Sequence, residues 1–140
     1  MNFVKFIFGA VSPSTPDEHA VAVYLAQKGV DVWGIDQGWT LVPRGTTDFS
    51  FMEGWGMQRN VDHLGVGLSV ARMSRALTGS GFDKMILLGY SSGSGTGYAY
   101  LNAETQLPAA LRNVSAYIAA DAPYKTDDEP FRELACFYAS

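Results

Sequence analysis

The chain has little histidine, little cysteine and no cluster of basic residues, and each shortage removes a class of function. Its 140 residues include two histidines and one cysteine, so no disulfide forms within the chain and no His/Cys metal site is expected. The net charge is −4, and a chain without a basic cluster has no electrostatic footprint for nucleic acid. We therefore expect no metal, no cofactor and no nucleic-acid partner.

Long apolar runs are also missing. No stretch reaches the roughly 18 consecutive apolar residues that a membrane-spanning helix needs. Residues 1–14 contain one lysine and a short apolar segment, but Ala10-Val11-Ser12 is a poor signal-peptidase site. We interpret this segment as a strand, which leaves the compartment open, with the cytoplasm favoured.

The composition that remains is that of a folded protein. Apolar residues make up 47% of the chain and charged residues 17%, as in a globular domain, and the length fits a single domain over 1–140. Strand-like runs at 3–8, 30–35, 84–90 and 114–120 alternate with helical patterns at 16–28, 60–77, 96–104 and 126–138. This alternation predicts an α/β fold, a parallel sheet of about four strands with helices on both faces.

The helical pattern over 60–77 has two sides. Val61, Leu64 and Leu68 recur at helical spacing and should be buried, whereas Arg72 and Arg75 should lie on the other side. Glycine-containing turns should end this helix near 79–81 and the first helix at Gly29.

A serine in a tight turn is the most informative feature of the chain. The apolar run 84–88 leads into Gly89-Tyr90-Ser91-Ser92-Gly93, and a helical pattern follows. Gly-x-Ser-x-Gly between a strand and a helix is typical of a nucleophile elbow, in which the serine stands exposed at the end of the strand. We expect both glycines to be required because the turn is too tight for larger side chains.

In this stretch the chain resembles the α/β-hydrolase family. The resemblance implies that Ser91 is the nucleophile, and that the backbone N–H groups of Ser92 and Ala10 bind the oxyanion. Where the family carries His-Gly after the preceding strand, this chain has Phe8-Gly9, although a backbone donor needs no particular side chain. The resemblance covers the third to sixth strands of the family's sheet, which implies that residues 1–140 form an incomplete domain.

The partners of the serine are harder to find. The family order is serine, acid, histidine, yet no histidine follows position 63. His19 and His63 begin predicted helices and are weak candidates, so the base is expected beyond Ser140. Asp121 follows the strand after the elbow and could be the acid, or could simply cap its turn.

The segment 37–58 is a long loop rich in aromatic residues. Trp39, Phe51 and Trp55 could form an apolar wall around a substrate, or could pin the loop to the body of the protein.

These observations lead to a hydrolase hypothesis and to alternatives. The first is a serine hydrolase acting on an ester or similar acyl bond of an apolar small molecule, inactive as this chain alone. The second is a non-catalytic α/β-hydrolase-like module that binds an apolar partner, and a third is one half of a two-chain enzyme. Open sheet edges favour self-association in each case.

Overall fold

The structure is a computed structural model that describes residues 20–121 and 129–130. The chain divides into two compact units, Met1–Arg44 and Gly45–Ser140. The predicted first strand, Ala10, His19 and nearly all of the predicted last helix lie outside the described residues. Within the described ranges, no helix combines the length and hydrophobicity of a transmembrane span.

In the described part of the first unit, residues 20–44, the chain forms one α-helix, α1 (Val21–Gln27). Gly29 ends it as predicted, with a φ of 80° that lets its N–H donate to the Ala26 carbonyl at 2.9 Å. A short 3-10 helix, Gly38–Leu41, follows. Residues 30–35, predicted as a strand, pair with no described strand. A strand is stable only beside a neighbour, and the predicted neighbour lies outside the described residues.

The second unit begins with a loop and a long helix. The loop contains a 3-10 helix, Ser50–Met52, preceded by a turn in which the Ser50 N–H donates to Asp48 Oδ1 at 2.9 Å. This bond holds the pKa of the Asp48 carboxyl below its usual value. Helix α2 (Met57–Leu77) then begins three residues before the predicted start.

Two parallel strands carry the rest of the second unit. Strand β1 (Met85–Tyr90) leads into helix α3 (Ser92–Thr105), and a 3-10 helix, Ala109–Leu111, precedes strand β2 (Val114–Ala120). The register runs from Met85 opposite Val114 to Tyr90 opposite Ala120, with an irregularity that leaves Ser115 without an opposite residue. This single extra residue is a β-bulge.

Both long helices pack on one face of this sheet. Val61, Leu64 and Leu68 of α2 join Tyr100 of α3 in a core against which Leu87 packs. The opposite face remains exposed, with Ile86 at 65% and Ile118 at 51% relative accessibility. The structure thus confirms a mixed α/β fold with parallel strands. It shows two of the predicted strands, and it places α2 and α3 on the same side.

A buried polar cluster, formed by Arg72, Tyr100, Glu104 and Asn113, joins α2, α3 and the start of β2. The Glu104 carboxylate accepts hydrogen bonds from the Tyr100 hydroxyl at 2.8 Å, from the Asn113 N–H, and from the Val114 N–H at 3.3 Å. Asn113 Nδ2 donates to the Tyr100 hydroxyl at 3.0 Å, and Arg72 Nη1 donates to Asn113 Oδ1 at 2.8 Å. Burial raises the pKa of Tyr100 to about 12, so its hydroxyl stays protonated and donates to the carboxylate.

The burial of Arg72 corrects the sequence prediction, which placed this residue on the solvent side of α2. Its exposed fraction is 6%, because the loops before β1 and β2 supply carbonyl acceptors. Nη2 donates to the Phe82 carbonyl at 2.9 Å, and Nη1 donates to the Arg112 carbonyl at 3.3 Å. The guanidinium also lies 4.0 Å from the centre of the Phe82 ring.

Candidate active site at the end of strand β1

Ser91 connects β1 to α3 in a backbone conformation that a serine rarely adopts. Its φ is 52° and its ψ is −123°, a combination that glycine dominates because a Cβ there is crowded. Holding a non-glycine residue in such a region costs on the order of 1–3 kcal/mol, and residues of this kind cluster at functional sites. The sharp turn predicted at the serine is therefore present, at Ser91 itself.

The side chain of Ser91 is free for chemistry. A serine that precedes a helix ordinarily caps it, by accepting a hydrogen bond from an N–H of the first turn. Ser91 occupies the N-cap position of α3 without a capping bond from its side chain, and the residue is exposed. The hydroxyl is therefore not used to cap the helix that Ser91 begins.

The glycines around the turn differ from the prediction in one respect. A Cβ on Gly89 would lie 2.7 Å from the Cα of Ser94 and 2.8 Å from the Gly93 carbonyl oxygen, so no larger residue fits there. A Cβ on Gly93 would meet no atom within 4 Å. The first glycine of the motif is thus required by space, and the second is not.

The predicted oxyanion donor, the Ser92 N–H, lies in the first turn of α3. Ser92 is the first residue of this 14-residue helix, so its N–H lacks an acceptor within the helix. No described residue accepts a hydrogen bond from it. The donor lies directly after the serine, at the helix terminus that favours negative charge.

Strand β2 is hydrogen-bonded to the turn at Ser91. The carbonyl oxygen of Ala120 accepts hydrogen bonds from the Ser91 N–H at 3.0 Å and from the Ser94 hydroxyl at 3.2 Å. The serine is therefore fixed both by its own strand and by the neighbouring one.

Asp121 lies beside Ser91 at the same edge of the sheet. Tyr90 pairs with Ala120, so the next residue of each strand, Ser91 and Asp121, is the first beyond the ladder. Both have positive φ, 52° and 54° respectively, and both are exposed. The structure thus brings the predicted acid next to the predicted nucleophile, with no hydrogen bond described between them.

A base for Ser91 is not found among the described residues. His63 lies half-buried on α2 and forms no described hydrogen bond with the serine. His19 and the second predicted oxyanion donor, Ala10, lie outside the described residues. Within the described ranges there is also no group of three or more His, Cys, Asp or Glu side chains that could hold a metal ion.

The aromatic loop is divided between the two units. Trp39 lies exposed in the first unit. In the second unit, Phe51 and Trp55 pack edge to face with ring centres 5.7 Å apart, and the Arg59 guanidinium lies 4.0 Å from the centre of the Trp55 ring. These contacts support the interpretation that the side chains pin the loop to the start of α2.

A methionine lies close to the first turn of α3. The Met57 side chain approaches to 4.0 Å from the position that a Cβ on Gly95 would take. It therefore lies against the first turns of α3, and it is partly exposed. Met57 lies in the segment 37–58 and is the first residue of α2.

Comparison of the chain with protein-family models, with curated proteins and with solved structures gave no match. The interpretation of this site therefore rests on its own geometry.

Tyr117 is a residue of the site that sequence reasoning missed. It belongs to β2, and its hydroxyl donates to the carbonyl of Ser94 in the first turn of α3 at 2.7 Å. A tyrosine within a strand carries no signal of such a role. Only the register of β2 beside β1 places it next to the turn.

Proposed function

We propose that the chain carries the nucleophile of a serine hydrolase that cleaves an ester or a similar acyl bond. The single observation that carries this proposal is the conformation of Ser91, which is strained, exposed and without a capping bond. A linking loop has no reason to maintain such strain, whereas a nucleophile that must stand clear of its helix does. The same observation supports membership of the α/β-hydrolase fold, with β1 and β2 as its fifth and sixth strands.

In the proposed reaction each residue at the turn has a role. Ser91 Oγ would attack the carbonyl carbon of the substrate while its proton passes to a base. The bond to the leaving group would then break and leave an acyl-serine. The Ser92 N–H would hold the oxyanion, a contribution of about 3 kcal/mol to lowering the barrier. The base would come from outside the described residues, and Asp121 would act as the acid behind it.

The surroundings of the turn favour an apolar acyl group. Met57 beside Gly95 offers an unbranched apolar side chain that adapts to different shapes. A hydrophobic substrate is therefore the best match to the part of this edge that Met57 lines, and the carboxylate of Asp121 beside Ser91 disfavours a negatively charged one.

Covalent labelling tests this function directly. The purified chain is treated with a fluorophosphonate probe, with and without imidazole as an external base, and the modified residue is identified by peptide mass spectrometry. We expect an adduct on Ser91 that imidazole increases and that the Ser91→Ala variant loses. Ser80→Ala is the matched control, because Ser80 is exposed between two glycines but lies after a helix. An adduct that persists in Ser91→Ala, or none on Ser91 under either condition, contradicts the proposal.

The exposed face of the sheet favours a second candidate, a non-catalytic module that associates with a second copy of the chain. Ile86, Leu88 and Ile118 are exposed on the face opposite α2 and α3, and burying them would be favourable. Sedimentation velocity of the chain and of an Ile86→Ser/Ile118→Ser variant tests this candidate. A dimer that the double variant loses supports it, and a monomer at all concentrations excludes it.

A further inference from the structure

Tyr117 fills the space beneath the elbow that the small residues of α3 and β1 leave open. A Cβ placed on Gly97 would lie 2.5 Å from the Tyr117 hydroxyl oxygen, and one placed on Gly89 would lie 2.7 Å from it. Tyr98 packs edge to face on the Tyr117 ring, with centres 5.1 Å apart. The tyrosine ring is therefore held between the strand and the helix on either side of Ser91.

The hydroxyl of Tyr117 reaches the backbone of the helix at its first turn. It donates to the Ser94 carbonyl at 2.7 Å, and Ser94 itself is fully buried. The Ser94 hydroxyl returns a bond of 3.2 Å to the Ala120 carbonyl, the same oxygen that accepts from the Ser91 N–H. Burial raises the pKa of the Tyr117 hydroxyl, so it remains a donor at neutral pH.

We infer that Tyr117 is a positioning residue for Ser91. It fixes the first turn of α3 relative to β1, so that the Ser91 hydroxyl and the Ser92 N–H can contact the same substrate carbonyl. The Tyr117 hydroxyl holds the first turn of α3 through the Ser94 carbonyl. The Ala120 carbonyl holds the same turn through the Ser91 N–H and the Ser94 hydroxyl. This inference rests on the proposed function only in taking Ser91 as the nucleophile. The geometry of the turn is measurable without any catalysis.

The test measures the environment of residue 91 with a thiol. The Ser91→Cys variant, made with Cys136→Ala so that it carries one thiol, is alkylated with iodoacetamide across a range of pH to obtain the pKa of the thiol. The N-terminus of a helix lowers the pKa of a thiol placed there. We expect Tyr117→Phe, which loses only the bond to Ser94, to raise this pKa by about half a pH unit. It should also speed hydrogen exchange in the first turn of α3 about fivefold, as expected for one hydrogen bond.

Tyr98→Phe is the matched control, since it removes a hydroxyl from the partner ring without a described bond to the helix backbone. It should change neither measurement. A purely structural role for Tyr117 would lower the free energy of unfolding and leave the pKa of the thiol unchanged, and that result overturns the inference. So does any result in which Tyr117→Phe and Tyr98→Phe behave alike.

The two proposals fail separately. If fluorophosphonate never labels Ser91 but Tyr117→Phe still raises the pKa of the thiol, only the hydrolase proposal falls. If Ser91 is labelled and the pKa does not move, only the positioning role falls. The thiol assay needs neither a base nor an ester, so it gives an answer in both cases.

Discussion

The two ends of helix α3 differ in exposure and in hydrogen bonding. Its first residues follow Ser91, which is exposed, strained and without a capping bond. Near its last turn, Glu104 is buried and accepts three hydrogen bonds from its own helix, the loop before β2 and β2 itself. One end thus maintains an unfavourable conformation at the surface, and the other end is stabilised by interactions hidden from water.

This difference shows how the strained conformation of Ser91 can be maintained in a two-stranded sheet. Local strain persists only where the surrounding structure over-determines it. The polar cluster anchors α3 to α2 and to the start of β2, so the helix cannot relax by shifting along its own axis. We therefore expect changes at the buried end to cost stability, and changes at the exposed end to alter the turn.

The largest effect is expected from Glu104→Ala. The substitution leaves the N–H groups of Asn113 and Val114 without an acceptor and leaves the charge of Arg72 buried. We expect a loss of about 4 kcal/mol in the free energy of unfolding, measured by urea denaturation. Asn102→Ala, at an exposed position of the same helix, should cost little. If that variant costs as much as Glu104→Ala, the polar cluster does not stabilise the helix.

An intermediate effect on the free energy of unfolding is expected from alanine substitutions at the two glycines of the elbow. The two substitutions should differ in their effect. Gly89→Ala forces a Cβ to within 2.8 Å of backbone atoms, so we expect a loss of about 3 kcal/mol. Gly93→Ala meets open space, and alanine is the better helix former by up to about 1 kcal/mol, so this variant should be neutral or stabilised. Thermal and urea unfolding of the two variants give the comparison. Equal destabilisation would contradict the close approach described at Gly89.

The smallest change in the free energy of unfolding is expected from Ser91→Gly. It is also the only substitution expected to increase stability clearly. Glycine adopts positive φ without penalty, so removing the side chain should raise the free energy of unfolding by about 1 kcal/mol while abolishing any labelling at this position. Ser92→Gly is the control. It is the first residue of the helix, where glycine is the poorer helix former, and it should lose stability by up to about 0.5 kcal/mol. A loss of stability in Ser91→Gly would show that Ser91 is not strained.

The sequence was sufficient for the features that depend on local rules. The turn at Ser91 and the stop at Gly29 follow from glycine and serine at fixed positions, and a strand near 84–90 follows from a short apolar run. The start of α2 was misplaced by three residues because Met57 to Arg59 precede its apolar period. These errors are small because neighbouring residues decide such boundaries.

Features that depend on distant residues could not be predicted. Arg72 looks like a solvent-facing arginine until the carbonyls of Phe82 and Arg112 are placed beside it. Gly93 fits the motif and was expected to be required, but a Cβ at this position would meet no atom within 4 Å. Tyr117 gains its contact with Ser94 only from the register of β2.

The bulge at Ser115 has a consequence for how this chain can change over evolutionary time. Because Ser115 has no opposite residue, Val114 and Tyr117 both point to the side of the helices. Deleting Ser115 would restore regular alternation and leave Tyr117 opposite Leu87, whereas inserting or deleting one residue after Tyr117 would turn every later side chain of the strand to the other face. Insertions and deletions should therefore be tolerated in the turn at 106–112 and selected against between 117 and 120, however similar the amino acids involved.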